Sequence, residues 1–167
     1  MQNITENISQ NEALFTWQKL LMYVEGKIGL AELEGLDEEQ ISTIAEIGYA
    51  LMEQGRTDEA RKLYEGLIEM APVDPYFHSV LGAIYQRMND NEKSLQEYDI
   101  ALKLNPSDLP ALVNSGEVML HSGRIIEALE RLKAAIAIDK EGSDPWALRA
   151  MALVAIIGNI LKEKARA

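Results

Sequence analysis

The sequence predicts an all-α protein, a solenoid of stacked helix pairs, and three observations carry that prediction. The first is a period. Gly48, Gly82 and Gly116 stand 34 residues apart, and Ala150 continues the series. Other positions keep the same step: Leu51, Tyr85 and Met119; Ala60, Ser94 and Ala128; Tyr64, Tyr98 and Leu132. Small residues at a fixed period are what paired helices need where their backbones approach closely. The second observation is the lack of strand signals. Proline is scarce, no period-two alternation recurs, and no Asn-Gly hairpin pair occurs. The third is size: 167 residues at 47% hydrophobic content suffice for one domain with a continuous core.

The repeated grammar is visible in "STIAEIGYALMEQGRTDEARKLYEGLIEMAP", "HSVLGAIYQRMNDNEKSLQEYDIALKLNP" and "VNSGEVMLHSGRIIEALERLKAAIAIDK". A period of about 34 residues with small residues at the helix contacts resembles the tetratricopeptide repeat (TPR). Pro72 and Pro106 end the second helix of their units, because proline lacks a backbone N–H and clashes with the preceding turn. The predicted fold is therefore a TPR helical-repeat solenoid of three TPRs, with an N-terminal helical segment and a C-terminal capping helix. The expected organisation is a disordered polar tail over 1–12 and a self-associating helical segment over 13–40. Repeats follow over 41–74, 75–108 and 109–142, then the capping helix and a basic tail over 143–167.

In chain order, "MQNITENISQNE" has no basic start and no long apolar run, so no secretory signal is expected there. Leu14, Trp17, Leu21, Val24 and Ile28 then follow a 3-4-3-4 spacing, the seam of a helix pair, with Phe15 and Met22 off it. Asp37 with Gln40 forms a capping-box pattern opening the first repeat. Asp74-Pro75 and Ser143-Asp144-Pro145 place a cap beside a first-turn proline, and Ser107 is the cap candidate ahead of Pro110. Gly55 and Gly123 sit in the turns inside their repeats, with Asn89 at the equivalent place in the second. The acidic run "ELEGLDEEQ" reads as a solvated loop and helix start, where carboxylates favour the positive end of the helix dipole. The last helix, "WALRAMALVAIIGNILKEKARA", is uncharged from Ala150 to Gly158, whereas a terminal cap needs a polar outer face. A membrane span takes about 20 apolar residues, and Arg149 and Asn159 interrupt this run, so no membrane insertion is expected. Surplus apolar surface at both ends predicts a homodimer.

Chemistry narrows the function. The net charge of −11 opposes nucleic acid or anionic lipid as a main partner. The absence of cysteine leaves no disulfide framework and no thiolate metal site. No nucleophile elbow, phosphate loop, His-Glu-x-x-His or dinucleotide fingerprint occurs, so no catalytic residue, cofactor or metal site is expected and the chain is not read as an enzyme. His78 falls where repeats pack helix on helix and reads as a buried structural histidine. His121 falls near the inner face without a catalytic partner.

Stacked repeats curve, and their first helices line the concave side. The register places Ser42, Ala45, Glu46, Tyr49, Met52 and Glu53 there in the first repeat. In the second it places Tyr76, Ser79, Val80, Ala83, Gln86 and Arg87, and in the third Val113, Asn114, Glu117, Leu120 and His121. Ala45, Tyr49, Met52, Tyr76, Ser79, Ala83, Gln86, Val113, Glu117 and Leu120 are the candidate peptide-binding groove. Such a lining suits a protein or peptide client bound in extended form. The rival reading is that Tyr49 and Tyr76 pack against neighbouring helices. TPR co-chaperones that bind the acidic tails of heat-shock chaperones use a clamp of lysine, asparagine and arginine. The corresponding positions here hold Ala45, Tyr49, Ala83, Val113 and Asn114, which lack the cations.

The segment "EGKIGLAELEGLDEEQISTIAEIGYALMEQGRTDEARKLYEGLIEMAPVDPYFHSVLGAIYQRM" resembles the class II chaperones of bacterial type III secretion. They share an N-terminal helical segment, a Gly-Leu-(Ser/Asp)-x-Glu start, three TPRs, and Leu-Gly-Ala-x-x-Gln in the second repeat. Leu81, Gly82, Ala83 and Gln86 match the last motif. Asn89-Asp90-Asn91 departs from the family's Gly-x-Tyr turn, and the last helix is more apolar than the family pattern. The resemblance implies a cytoplasmic bacterial chaperone that holds a hydrophobic translocator segment through Tyr49, Met52, Tyr76, Ala83 and Gln86. It also implies dimerisation mainly through the N-terminal helix. A general TPR scaffold or adaptor is the alternative, and the sequence leaves open which terminal helix forms the dimer.

Overall fold

The computed structural model describes residues 18–27 and 36–164. All regular structure among these residues is α-helical. Residues 18–24 form α1, followed by α2 (Glu38–Glu53), α3 (Thr57–Met70), α4 (Pro75–Arg87), α5 (Asn91–Leu104), α6 (Leu109–His121), α7 (Ile125–Ile138) and α8 (Pro145–Lys164). This is the TPR helical-repeat fold. The expected tail over 1–12 and the seam residues Leu14, Trp17 and Ile28 lie outside the described residues. The chain divides into two compact units, Met1–Pro72 and Val73–Ala167.

An aspartate caps each of α2, α4, α6 and α8. Asp37 accepts from the Gln40 backbone N–H at 2.8 Å, and the Gln40 side chain accepts in return from the Asp37 N–H at 3.1 Å. Asp74 accepts from Tyr76 N–H at 2.9 Å, Asp108 from Ala111 N–H at 2.9 Å, and Asp144 from Trp146 N–H at 2.7 Å. Each carboxylate satisfies a donor that the first helical turn leaves unpaired. The cap of α6 is thus Asp108 and not Ser107, whose backbone N–H donates instead to Asn105 Oδ1 at 3.1 Å. The reason is register: α6 starts at Leu109, which sets Pro110 at its second position and the cap one residue after Ser107.

The turns inside the repeats need one left-handed residue each. Gly55 (φ 79°) and Gly123 (φ 77°) supply it in repeats one and three, and Asn89 (φ 61°) in repeat two. Asparagine tolerates this region better than most side chains, which explains the departure from glycine. An ion pair three residues apart follows each turn: Arg56 with Glu59, Arg124 with Glu127, and, with the charges exchanged, Lys93 with Asp90. In the exchanged pair Asp90 also caps α5, accepting from Lys93 N–H at 3.2 Å. Helices α3 and α7 start without a side-chain cap.

In the first unit, α2 and α3 close on Gly48. A β-carbon there would lie 2.7 Å from the Tyr64 ring. Tyr64 is fully buried and its hydroxyl donates to the Ala45 carbonyl at 2.8 Å. Gly66 makes a second opening, because a β-carbon there would lie 2.7 Å from the Tyr23 hydroxyl. Tyr23 thereby seats α1 on α3, its hydroxyl donating to the Lys62 carbonyl at 3.4 Å while Lys62 Nζ donates to the Val24 carbonyl at 3.2 Å. This contact sets the rotation of α1. Leu20 and Val24, four apart, point inward, whereas Leu21 is 55% exposed and Val24 only 8%. The two described residues of the expected seam therefore do not share an accessible face.

The second unit repeats the device. A β-carbon on Gly82 would lie 2.8 Å from the Tyr98 ring, and one on Gly116 3.1 Å from Leu132. Ser94 and Ala128, at the other small position of the period, are fully buried. Tyr98, Leu112, Val113, Val118 and Leu132 form the core with Ala150 and Ile157 of α8, which packs on α6 and α7. His78 is buried with Nδ1 2.7 Å from Glu97 Oε2, the structural position expected for it. By length and composition alone, residues Pro145–Lys162 of α8 suffice to cross a membrane, so Arg149 and Asn159 do not cut the run as short as expected.

Candidate functional site

In the second unit the accessible inner positions fall on two helices. On α4, Tyr76 is 48% exposed, Ala83 and Gln86 are half-buried and Arg87 is exposed. These positions, seven, ten and eleven residues from Tyr76, share one helical face. On α6, half-buried Asn114 and exposed His121, seven residues apart, share one face, and half-buried Leu120 lies to one side of it. Helices α4 and α6 pack against each other, so their faces adjoin.

The polar groups at this surface are held from behind. The buried Tyr98 hydroxyl donates to Gln86 Oε1 at 3.0 Å. Burial pushes the Tyr98 phenol well above its ordinary pKa, so it stays a donor. The Gln86 oxygen is thereby engaged as an acceptor. Glu117 is held differently. Arg149 of α8 reaches back with Nε 2.7 Å from Glu117 Oε1 and Nη2 2.8 Å from Oε2, a two-point fork that fixes the carboxylate. The Glu117 side chain is largely enclosed while half of Arg149 remains exposed. The Arg149 guanidinium also lies 5.5 Å from the Trp146 ring. His121 Nδ1 lies 2.9 Å from the Glu117 carbonyl, which can only accept, so Nδ1 carries the proton.

The first unit presents a smaller accessible set on α2. Tyr49 is 47% exposed, and Ser42, Glu46 and Glu53 are exposed. Of the ten predicted lining residues, Tyr49 and Tyr76 are exposed, and Ala83, Gln86 and Leu120 are half-buried. Ala45, Met52, Ser79, Val113 and Glu117 are buried. The exposure of both tyrosines bears on the rival reading, since neither is covered by its own unit. Sequence reasoning missed Arg149 and Trp146. The partner of Glu117 stands 32 residues on, two short of the period, so the repeat alignment does not pair them.

The arrangement can bind by apolar contact and hydrogen bonding. Both histidines are engaged by other groups, His78 by Glu97 and His121 by a backbone carbonyl. Among the described residues, no three His, Cys, Asp or Glu side chains gather as a metal set would.

Comparison with known proteins accords with this architecture. The tetratricopeptide repeat family model matches residues 46–85 and 81–143, more than half of the chain. Anaphase-promoting complex subunit 3 of Schizosaccharomyces pombe (strain 972 / ATCC 24843) is 30% identical over 92 residues, which are 53% of this chain and 14% of that protein. The chain therefore spans about one-seventh of that relative. PcrH, a Pseudomonas aeruginosa protein, was solved with the chaperone binding region of PopD. It matches at TM-score 0.71 and 22% identity, over 76% of this chain and 97% of its own. The first TPR of Spaghetti (RPAP3), bound to the HSP90 peptide SRMEEVD, matches at TM-score 0.68 and 19% identity, over 77% of this chain and 98% of its own. The glycine period, the aspartate caps and the family match agree, and this chain belongs to the tetratricopeptide repeat family.

Proposed function

We propose that this protein is a cytoplasmic bacterial chaperone that holds an extended, hydrophobic, translocator-like secretion client on the inner faces of its repeats. The observation that carries the reading is the composition of the accessible surface. Tyr76, Ala83 and Leu120 offer apolar contact beside Gln86, whose amide is anchored by Tyr98. A small residue between larger ones makes room for a client side chain, and a positioned amide can hold the client backbone. On the first unit, Tyr49 is exposed as well. Support also comes from the likeness to PcrH with the chaperone binding region of PopD, and from the Leu81-Gly82-Ala83-x-x-Gln86 motif. The mechanism is physical: an aggregation-prone segment is covered, and the acidic surface keeps the complex soluble. The working form is a homodimer. The likeness to a subunit of a large assembly favours a second reading, a scaffold that binds peptides without protecting them.

Two labelled peptides test this. The chaperone binding region of PopD is expected to bind and to stay in solution only with the protein present. The acidic peptide SRMEEVD is expected not to bind, because the clamp positions Ala45, Tyr49, Ala83, Val113 and Asn114 carry no lysine or arginine. Ala83→Glu with Tyr49→Ala is expected to abolish binding of the first peptide while the helical spectrum is unchanged. Binding that survives both substitutions moves the site elsewhere. Binding without any effect on the peptide's solubility favours the scaffold.

A further inference from the structure

We propose that two copies of this protein meet through the outer face of α8, with the two helices antiparallel. The proposal rests on the homodimer named above and assigns its surface. Ala147, Ala150 and Ile157 turn one face of α8 onto its own unit. The opposite face presents Leu148, Ala152, Ile156 and Ile160, spaced four residues apart, with Leu148, Ile156 and Ile160 about half exposed or more. At 1.5 Å per residue this apolar line runs for about 18 Å. A terminal repeat helix ordinarily presents a polar outer face to water.

Charge indicates what covers it. The chain as a whole is strongly acidic, yet Lys162, Glu163 and Lys164, the last residues of α8, carry a net charge of +1. Residues 139–144, at the other end of the same helix, carry a net charge of −2. An antiparallel second copy sets each basic end beside an acidic end, and opposes the two helix dipoles favourably. The side chains are self-complementary in that order. A two-fold axis near Val154 places Leu148 opposite Ile160, and Ala152 opposite Ile156, so a small residue meets a large one. A parallel pair would set like charges together at both ends. A lipid surface is the poorer occupant, since the chain's net charge of −11 is repelled by anionic headgroups.

Sedimentation of the full chain at micromolar concentrations tests the assignment. Wild type is expected to run as a dimer, and Ile156→Glu and Ile160→Glu each to run at half that mass with unchanged helix content. Ile126→Glu on α7 and Leu21→Glu on α1 also place charge at exposed apolar positions and are expected to remain dimeric. The chain has no cysteine, so introduced ones report orientation cleanly. A mixture of Ala152→Cys with Ile156→Cys is expected to form interchain disulfides faster than either variant alone. A monomeric wild type, dimers that survive Ile156→Glu, or loss of the dimer in Leu21→Glu instead overturns the proposal. So does faster self-crosslinking of Ala152→Cys alone, or wild type that pellets with phosphatidylcholine vesicles where Ile156→Glu does not. The PopD-region peptide is expected to bind Ile156→Glu as it binds wild type, so failure of the dimer surface and failure of the peptide site are read separately.

Discussion

The second and third repeats share one frame but close it differently. In repeat two, Gly82 takes the ring of Tyr98, and the Tyr98 hydroxyl passes through to Gln86 on the inner face. In repeat three, Gly116 takes Leu132, which has no hydroxyl to offer. Its inner polar group, Glu117, is held instead by Arg149 from the following helix. Repeat two thus orients its half-buried polar group from within, whereas repeat three depends on α8. The order of the inner surface in repeat three is therefore linked to the docking of the last helix, and that of repeat two is not.

The largest effect expected from breaking this comparison is at the glycines. Gly82→Ala drives a β-carbon into a buried aromatic ring at 2.8 Å. Overpacking of that kind costs about 1–3 kcal/mol, only partly offset by the better helix propensity of alanine, about 0.5–1 kcal/mol. Gly116→Ala meets Leu132 at 3.1 Å, and a leucine can shift by a few tenths of an ångström. Urea unfolding should show Gly82→Ala clearly destabilised and Gly116→Ala near wild type. Equal losses would show that the aromatic closure of repeat two is no tighter than the aliphatic closure of repeat three.

Removing the fork is expected to come next. Arg149→Ala leaves the enclosed Glu117 carboxylate without its partner. Loss of a partner from a fully buried pair costs about 3–5 kcal/mol. Arg149 is half exposed and water reaches the pair, so about 1–2 kcal/mol is expected here. Hydrogen exchange should accelerate in α8 and at the end of α6, with α4 and α5 little changed. Acceleration spread evenly over all four helices would remove the distinction between the two repeats.

The smallest effect concerns the turn ion pairs. Hydrogen bonding from Arg56 holds Glu59 below the ordinary carboxylate range, and Arg124 does the same for Glu127. A folded-state pKa below the unfolded value stabilises the fold above the ordinary carboxylate range. That contribution fades as pH falls through the depressed value. Both pairs are solvent-exposed, so Arg56→Ala and Arg124→Ala should return the two carboxyls toward their usual titration in NMR, with a stability change near the detection limit that salt abolishes. A stability loss that persists in high salt would give the guanidinium stems a packing role.

Much of the frame was legible because its causes are local or strictly periodic. The glycine series marks where a second helix needs room for Tyr64, Tyr98 or Leu132, and the turn residues Gly55, Asn89 and Gly123 mark a left-handed backbone. Asn89 shows that a departure from the usual residue can keep the geometry. The inner surface was less legible. A register position gives a direction around a helix to within a side chain's width. Whether Val113 or Ala83 is covered depends on helices that arrive from elsewhere. Leu21 and Val24 make the same point in α1, where Tyr23 seated over Gly66 chose the rotation.

By itself, then, the sequence determined the all-α repeat, its period and most of its caps. Each of these follows from backbone sterics or from hydrogen bonds within a turn or two of the chain. Only the tertiary structure decided that Ala45, Met52 and Val113 are enclosed while Tyr49 and Tyr76 stay accessible. Only it paired Glu117 with Arg149, and left Leu148, Ile156 and Ile160 uncovered on α8. Burial and ion pairing are relations between distant segments, and a one-dimensional pattern records each partner without recording that they meet.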